Sequence, residues 1–170
     1  MLILNSVMAI LPIISFDNPV LRQKAKRVSA IDGSIQRLID DMIETMQAVP
    51  GLGLAAPQVG VSLRVIVIQL PEREPLALIN PQVVRRSGER EVVEGCLSVP
   101  GYQGSIKRSL SVTVKGRDRR GREVRRKAKE LLAQVLEHEI DHLDGILYID
   151  HVEGMDKLYR IEPGAEAAGL

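Results

Sequence analysis

Aromatic residues are nearly missing: there is no Trp, one Phe and three Tyr, about 2% of 170 residues. A core must therefore be aliphatic, built from Ile, Leu, Val, Ala and five Met. A single Cys excludes an internal disulfide framework, and a domain of this length buries enough surface to fold without one. No apolar run reaches the ~20 residues of a membrane span. The first fifteen residues are apolar but contain no Lys or Arg, carry Pro12, and show no small-residue cleavage site. This is not the pattern of a signal peptide, and a cytoplasmic location is expected. Net charge is only +1, which argues against a bulk polyelectrolyte partner such as DNA.

That near-neutrality hides a split. Between Lys107 and Lys129 eleven Lys/Arg stand against two Asp/Glu, a local charge of +9, and the remainder of the chain carries −8. With 45% apolar and 26% charged residues, the composition is that of an ordinary globular domain. No repeat, linker or low-complexity tract divides the chain, so residues 1–170 are expected to form one domain.

Residues 1–30 read as extended, with a turn at Asp17-Asn18-Pro19. Ile35, Leu38, Ile39, Met42, Ile43 and Met46 recur at helical spacing; Asp32 or Ser34 caps that helix and Pro50-Gly51 ends it. The middle reads as strands: 63–70, short pieces at 76–80, 83–86 and 90–93, and an alternating run over 106–115. Arg119-Arg120-Gly121 forms a hairpin turn into a strand at 123–128. A second helix is expected over 130–143, with Leu131, Leu132, Val135, Leu136 and Ile140 on its apolar side and Gly145 stopping it, followed by a strand at 146–149. Helices and strands do not alternate regularly, so the fold class is α+β with mostly antiparallel sheet.

The strongest chemical signal is His138-Glu139-Ile140-Asp141-His142, an H-E-x-x-H on the second helix. Residues i and i+4 share a helix face, so both imidazoles can meet one metal ion, and Glu139 sits beside the first of them, within reach of a water there. A metal site of this kind needs a third protein ligand. The metzincin pattern requires His at position 148, which is Tyr. Glu162, 20 residues after His142, fits the interval of a thermolysin-like peptidase but precedes Pro163-Gly164. His151 follows an expected strand and reads as a surface residue. Cys96, within Glu94-Gly95-Cys96-Leu97-Ser98, is a small buried hydrophobe by default and a soft metal ligand otherwise. Spacing leaves Cys96 and Glu162 both open.

Gly51-Leu52-Gly53-Leu54-Ala55-Ala56-Pro57-Gln58 spells G-x-G-x-x-A, but a helix precedes it and a strand follows, the reverse of a dinucleotide-binding turn. It reads either as a loop ending the helix or as backbone left bare for close approach by a substrate chain, with Gln58 offering an amide.

Taken together and in this order, the Gly51–Gln58 loop, the Glu94–Ser98 strand and the His138–His142 helix resemble the peptide deformylase family. The likeness extends to Ile13–Val28, Val99-Pro100-Gly101-Tyr102 and Leu143-Asp144-Gly145, spanning most of residues 9–152. It implies mostly antiparallel sheets around a central metal-binding helix, with Cys96, His138 and His142 as ligands. The metal implied is Fe²⁺, with Zn²⁺, Ni²⁺ or Co²⁺ as substitutes. The reaction implied is removal of the N-formyl group from the initiator Met of nascent polypeptides, releasing formate. Glu139 would shuttle the proton, while Gln58 and the Leu97 backbone N–H would bind the oxyanion. Leu52, Val92, Leu131 and Val135 would line the Met pocket, and Gly53 and Gly95 would pair with the substrate backbone. Glu137 departs from the family's usual Gln, Glu130 from a frequent Gly, and Gln134 from a usually apolar pocket position. The resemblance begins near Met8, so residues 1–7 are expected to be an N-terminal extension, and 161–170 a loose tail. Two rivals follow from the residues alone: a small endopeptidase using Glu162, and a non-catalytic module binding RNA through the basic 107–129 hairpin, which lacks interleaved aromatics for base stacking. A transient ribosome contact through that hairpin is compatible with catalysis.

Overall fold

The computed structural model describes residues 9–162 and 169–170; the expected extension at 1–7 lies outside them. Helix α1 spans Gly33–Ala48. Asp32 is its cap, accepting from the Ser34 and Ile35 amides at 3.0 and 3.2 Å. Its apolar stripe buries Ile35, Ile39, Met42 and Met46.

Two antiparallel sheets follow. The five-stranded sheet is formed by β1 (Gly53–Ala55), β2 (Val65–Ile68), β3 (Leu76–Ser87), β6 (Ser111–Arg117) and β7 (Glu123–Lys129), in the order β1-β2-β3-β6-β7. The smaller sheet is β4-β5-β8, from Arg90–Cys96, Val99–Arg108 and Leu158–Arg160. Helix α2, Glu130–Leu143, completes the regular elements. The hairpin turn expected at Arg119-Arg120-Gly121 joins β6 to β7.

The layers can be read from β2. Val65 and Val67 join the core beneath α1, whereas Ile66 and Ile68 join the core beneath α2. Successive strand residues face opposite sides, so a strand covered by a helix on each face is buried throughout, as β2 is. The far side of α2 meets the smaller sheet, whose core comprises Val92, Cys96, Val99, Ile106, Leu147 and Tyr148. Helix α2 is therefore buried from Ala133 onward except at Asp141, its other polar residues included.

Four expectations are corrected. The pieces at 76–80 and 83–86 are one strand, β3, bent where Asn80 takes φ of +52° and Pro81 interrupts the ladder. The strand at 90–93 continues to Cys96. The run over 106–115 is two strands in different sheets: the Ser109 amide leaves the ladder to bond Glu137 Oε1 at 2.8 Å, and Leu110, which follows it, is exposed. The strand at 146–149 is absent; Tyr148–His151 forms a 3₁₀ turn. Asp150 closes that turn by accepting from the Leu147 amide at 3.0 Å, a local bond that competes with strand pairing.

Both ends of α2 depend on left-handed backbone. Gly145 stops it at φ +74°, where a Cβ would meet the Arg22 carbonyl oxygen at 2.6 Å. At the other end Glu130 takes φ +53°, a conformation that costs a residue with a side chain roughly 1 kcal/mol. Glu130→Gly is accordingly expected to raise stability by up to ~1 kcal/mol, a melting shift of about 2–4 °C. Thermal unfolding monitored by circular dichroism checks this; an unchanged or lower midpoint contradicts it.

Candidate active site

Three elements converge inside the molecule. Helix α2 contributes His138, Glu139 and His142; β4 contributes Glu94 and Cys96, two residues apart and so on one face; the segment from β1 into the turn at Ala56–Val59 contributes Gly53 and Gln58. The ligand atoms of Cys96, His138 and His142 lie within 4.8 Å of one another. The Cys96 sulfur faces His142 Nε2 at 3.4 Å, and the two imidazoles stand nearly edge to face with centroids 5.0 Å apart. Neither alternative third ligand belongs to this group. Glu162 is exposed, and His151 bonds Asp141 at 2.9 Å instead.

A cation fits these residues. His138 Nε2 is buried without a hydrogen-bond partner, as are both oxygens of Glu139, and buried polar atoms left unpaired are costly. His138 Nδ1 is held by Glu94 Oε1 at 2.6 Å, the carboxylate–histidine link that leaves the opposite nitrogen free to ligate. Without a metal, burial opposes charge on His138, but Cys96, Glu94 and Glu139 draw a proton onto it and raise its pKa well above the usual value. His142 is depressed by burial and by repulsion from His138. The donor set thus attracts one positive charge at its centre.

Glu139 is fully buried. Burial pushes its carboxyl up to about 7, only partly opposed by His138. It has room because the residue opposite is glycine: a Cβ on Gly53 would stand 2.6 Å from Glu139 Oε1. The bare backbone of this segment therefore accommodates a buried carboxylate as well as any substrate. Gln58 is oriented by its neighbours. Its Oε1 accepts from the Ala55 amide at 2.9 Å, which turns Nε2 toward Ser98 Oγ at 3.2 Å and Cys96 Sγ at 3.7 Å. Leu97 packs against the α1 core.

The residues expected to line a Met pocket are distributed between cores. Leu52 and Val135 belong with the α2 core, Val92 with the smaller sheet, and Leu131, in the first turn of α2, is exposed. Gly95 pairs with Gln103 in the smaller sheet.

Sequence reasoning missed the ionic scaffold behind the ligands. Arg108 donates to Glu94 through Nε and Nη2 at 2.7 and 2.9 Å, and to Asp141 through Nη1 at 2.7 Å. Gln134 donates to Glu94 at 3.4 Å, and Glu137 accepts from Ser109 and Arg86. Burial opposes ionisation of Glu94, but Arg108 and His138 outweigh it and hold the carboxyl at about 2. The two-residue period in Glu94-Gly95-Cys96 was the available signal for Glu94; nothing local marked Arg108.

An H-E-x-x-H helix facing a cysteine-bearing strand, with the intervening glutamate unpaired, places the chain among metal-dependent hydrolases. The family model of polypeptide deformylase matches residues 10–158. Among similar proteins is the peptide deformylase of Dehalococcoides mccartyi strain CBDB1, 58% identical over 160 residues, 94% of this chain and 96% of the relative. That of Thermomicrobium roseum is 49% identical, with 95% and 98% covered. The crystal structure of a peptide deformylase from Legionella pneumophila superposes with a TM-score of 0.83 at 44% identity, covering 86% of this chain and 88% of that one. One from Synechococcus elongatus in complex with actinonin gives 0.83 at 45% identity, with 85% and 80% covered. The chain belongs to the polypeptide deformylase family.

Proposed function

We propose that this site removes the N-formyl group from the initiator Met of nascent polypeptides, with Cys96, His138 and His142 holding the metal and Glu139 moving the proton. The observation carrying this reading is a fully buried, unpartnered Glu139 carboxylate beside the three clustered ligands. A bound divalent metal supplies Lewis acidity and makes water a stronger acid. Glu139 takes the proton from the attacking water and delivers it to the departing amine nitrogen; its burial makes the carboxylate a stronger base than an exposed one. The formyl carbon–nitrogen bond breaks, leaving formate and a free amine. The Gln58 amide and the Leu97 N–H bind the developing oxyanion, each worth roughly 2.7–4 kcal/mol if it behaves like other such donors. Gly53 and Gly95 pair with the peptide backbone, while Leu52, Val92, Leu131 and Val135 receive the Met side chain.

One thiolate with two imidazoles suits Fe²⁺, with Zn²⁺, Ni²⁺ or Co²⁺ as substitutes. Formate release from a formyl-Met peptide tests the reading: it should vanish on chelation and return with added metal, whereas formate release unaffected by chelation contradicts it. Metal analysis of protein purified without oxygen tests the choice of iron.

The substrate emerges at the ribosome, and we place the protein in the cytoplasm, with the basic hairpin touching ribosomal RNA. Lys115 and Arg125 stand directly opposite each other across β6 and β7. Like charges in that position repel, and a phosphate between them relieves the repulsion. Arg119 and Arg122 are less available, being paired with Asp40 and Asp118 at 2.7 and 2.9 Å. Changing Lys115, Arg125 and Lys127 to Glu is expected to abolish salt-sensitive ribosome cosedimentation and leave peptide deformylation intact; unchanged cosedimentation contradicts the contact.

A further inference from the structure

The reacting groups are covered. Cys96, His138, Glu139, His142 and Gln58 are all buried, yet a deformylase must admit a peptide. Part of the cover comes from the far end of the described chain. Gly169 forms a parallel bridge with Gly95, the residue to which the substrate backbone has been assigned above. Because the bridge is parallel, Leu170 follows Gly169 in the same direction as Cys96 follows Gly95. Leu170 is only 4% exposed, and it joins the apolar core that holds Val135 and Leu136 of α2, with Leu52 packed against it. Leu52 and Val135 are two of the four positions proposed to receive the Met side chain.

We propose that the slot beside Gly95 binds an extended small-residue–aliphatic peptide segment, and that this chain fills it with its own Gly169–Leu170. The proposal rests on the reading of Gly95, Leu52 and Val135 as the substrate's contacts. Its chemistry is that of the expected substrate: a strand paired through Gly95, and an unbranched or branched aliphatic side chain of similar volume entering the same apolar core. The segment is tethered, so its effective concentration is of millimolar order. Even weak affinity then raises the apparent KM, and a formyl-Met peptide enters by displacing Leu170. The device regulates access without touching the ligands or Glu139.

The test compares three zinc-loaded proteins: the full chain, the chain shortened to end at Glu162, and the full-length Leu170→Asp variant, whose charge opposes burial. KM for a formyl-Met peptide is expected to fall roughly 3–10-fold in both variants, with kcat within about twofold and a melting temperature lower by no more than about 5 °C, the loss that a 3–10-fold self-contact entails. By calorimetry, an acetyl-Ala-Ala-Gly-Leu amide should bind the shortened chain more tightly than the full chain by the same ~3–10-fold, because the tether no longer competes. Equal KM values and equal peptide affinities would overturn the proposal. So would a shortened chain that fails to fold or melts more than about 10 °C lower, since Leu170 would then be a core residue. If none of the three proteins releases formate, the deformylase reading fails instead, and the calorimetric comparison still decides who occupies the slot.

Discussion

Replacing Glu139 with Gln is expected to lower kcat by ~10²–10⁴, the usual share of a general acid–base group, while metal content and affinity for formyl-Met peptides stay near wild type. Gln keeps the volume that Gly53 leaves open but cannot accept and return a proton. The three side chains proposed to hold the metal are unchanged, and so are the proposed backbone and pocket contacts of the peptide. His138→Ala should behave differently, losing metal and turnover together, because its Nε2 is one of the clustered ligand atoms. Metal analysis, peptide binding and kcat on both variants separate the roles. Near wild-type kcat in Glu139→Gln would transfer the proton shuttle to another group.

A second large effect is expected at Arg108. Its side chain is buried, as is that of Glu94, and it links Glu94 to Asp141. Arg108→Met removes the cation and strands the Glu94 carboxylate, with an expected destabilisation of ~3–5 kcal/mol, the usual cost of breaking a buried ion pair from one side. Because Glu94 orients His138, metal affinity should fall by about 10–100-fold as well. Denaturant unfolding and competition with a chelator measure the two effects; loss of stability without loss of metal affinity would show that Glu94 holds His138 without Arg108. Pairing Arg108→Met with Glu94→Gln should recover part of the stability, since Glu94 no longer carries a buried charge and Asp141 keeps His151, but not metal affinity. The same network sets the acid limit. Glu94 titrates at about 2 in the folded protein against an ordinary 4.5. Its ionised form therefore stabilises the fold fully above about pH 4.5, and that contribution is lost as pH falls toward 2. In Glu94→Gln that part of the acid sensitivity should disappear.

The sequence by itself determined the elements whose cause is local. The 3.6-residue stripe and the Asp32 cap set α1, the apolar positions from Leu132 to Ile140 with Gly145 set α2, and Arg119-Arg120-Gly121 set a hairpin. H-E-x-x-H was legible for the same reason: residues four apart on a helix share a face whatever surrounds them. The proposed third ligand was not legible from spacing. Cys96 lies 42 residues before His138, and its place depends on how β4 packs against α2; resemblance to a family, not periodicity, indicated it. Only the tertiary structure decided where the run around Ser109 breaks, because the bond that ends β5 comes from Glu137 on another element. It also decided that 146–149 turns instead of extending: Asp150 captures the nearby Leu147 amide, and Arg22, from the other end of the chain, holds that carboxylate in place. The Glu94–Arg108–Asp141 scaffold is tertiary in the strictest sense. Each charge is tolerable inside the protein only because its partners arrive from different strands and a helix, and no one-dimensional pattern records that pairing.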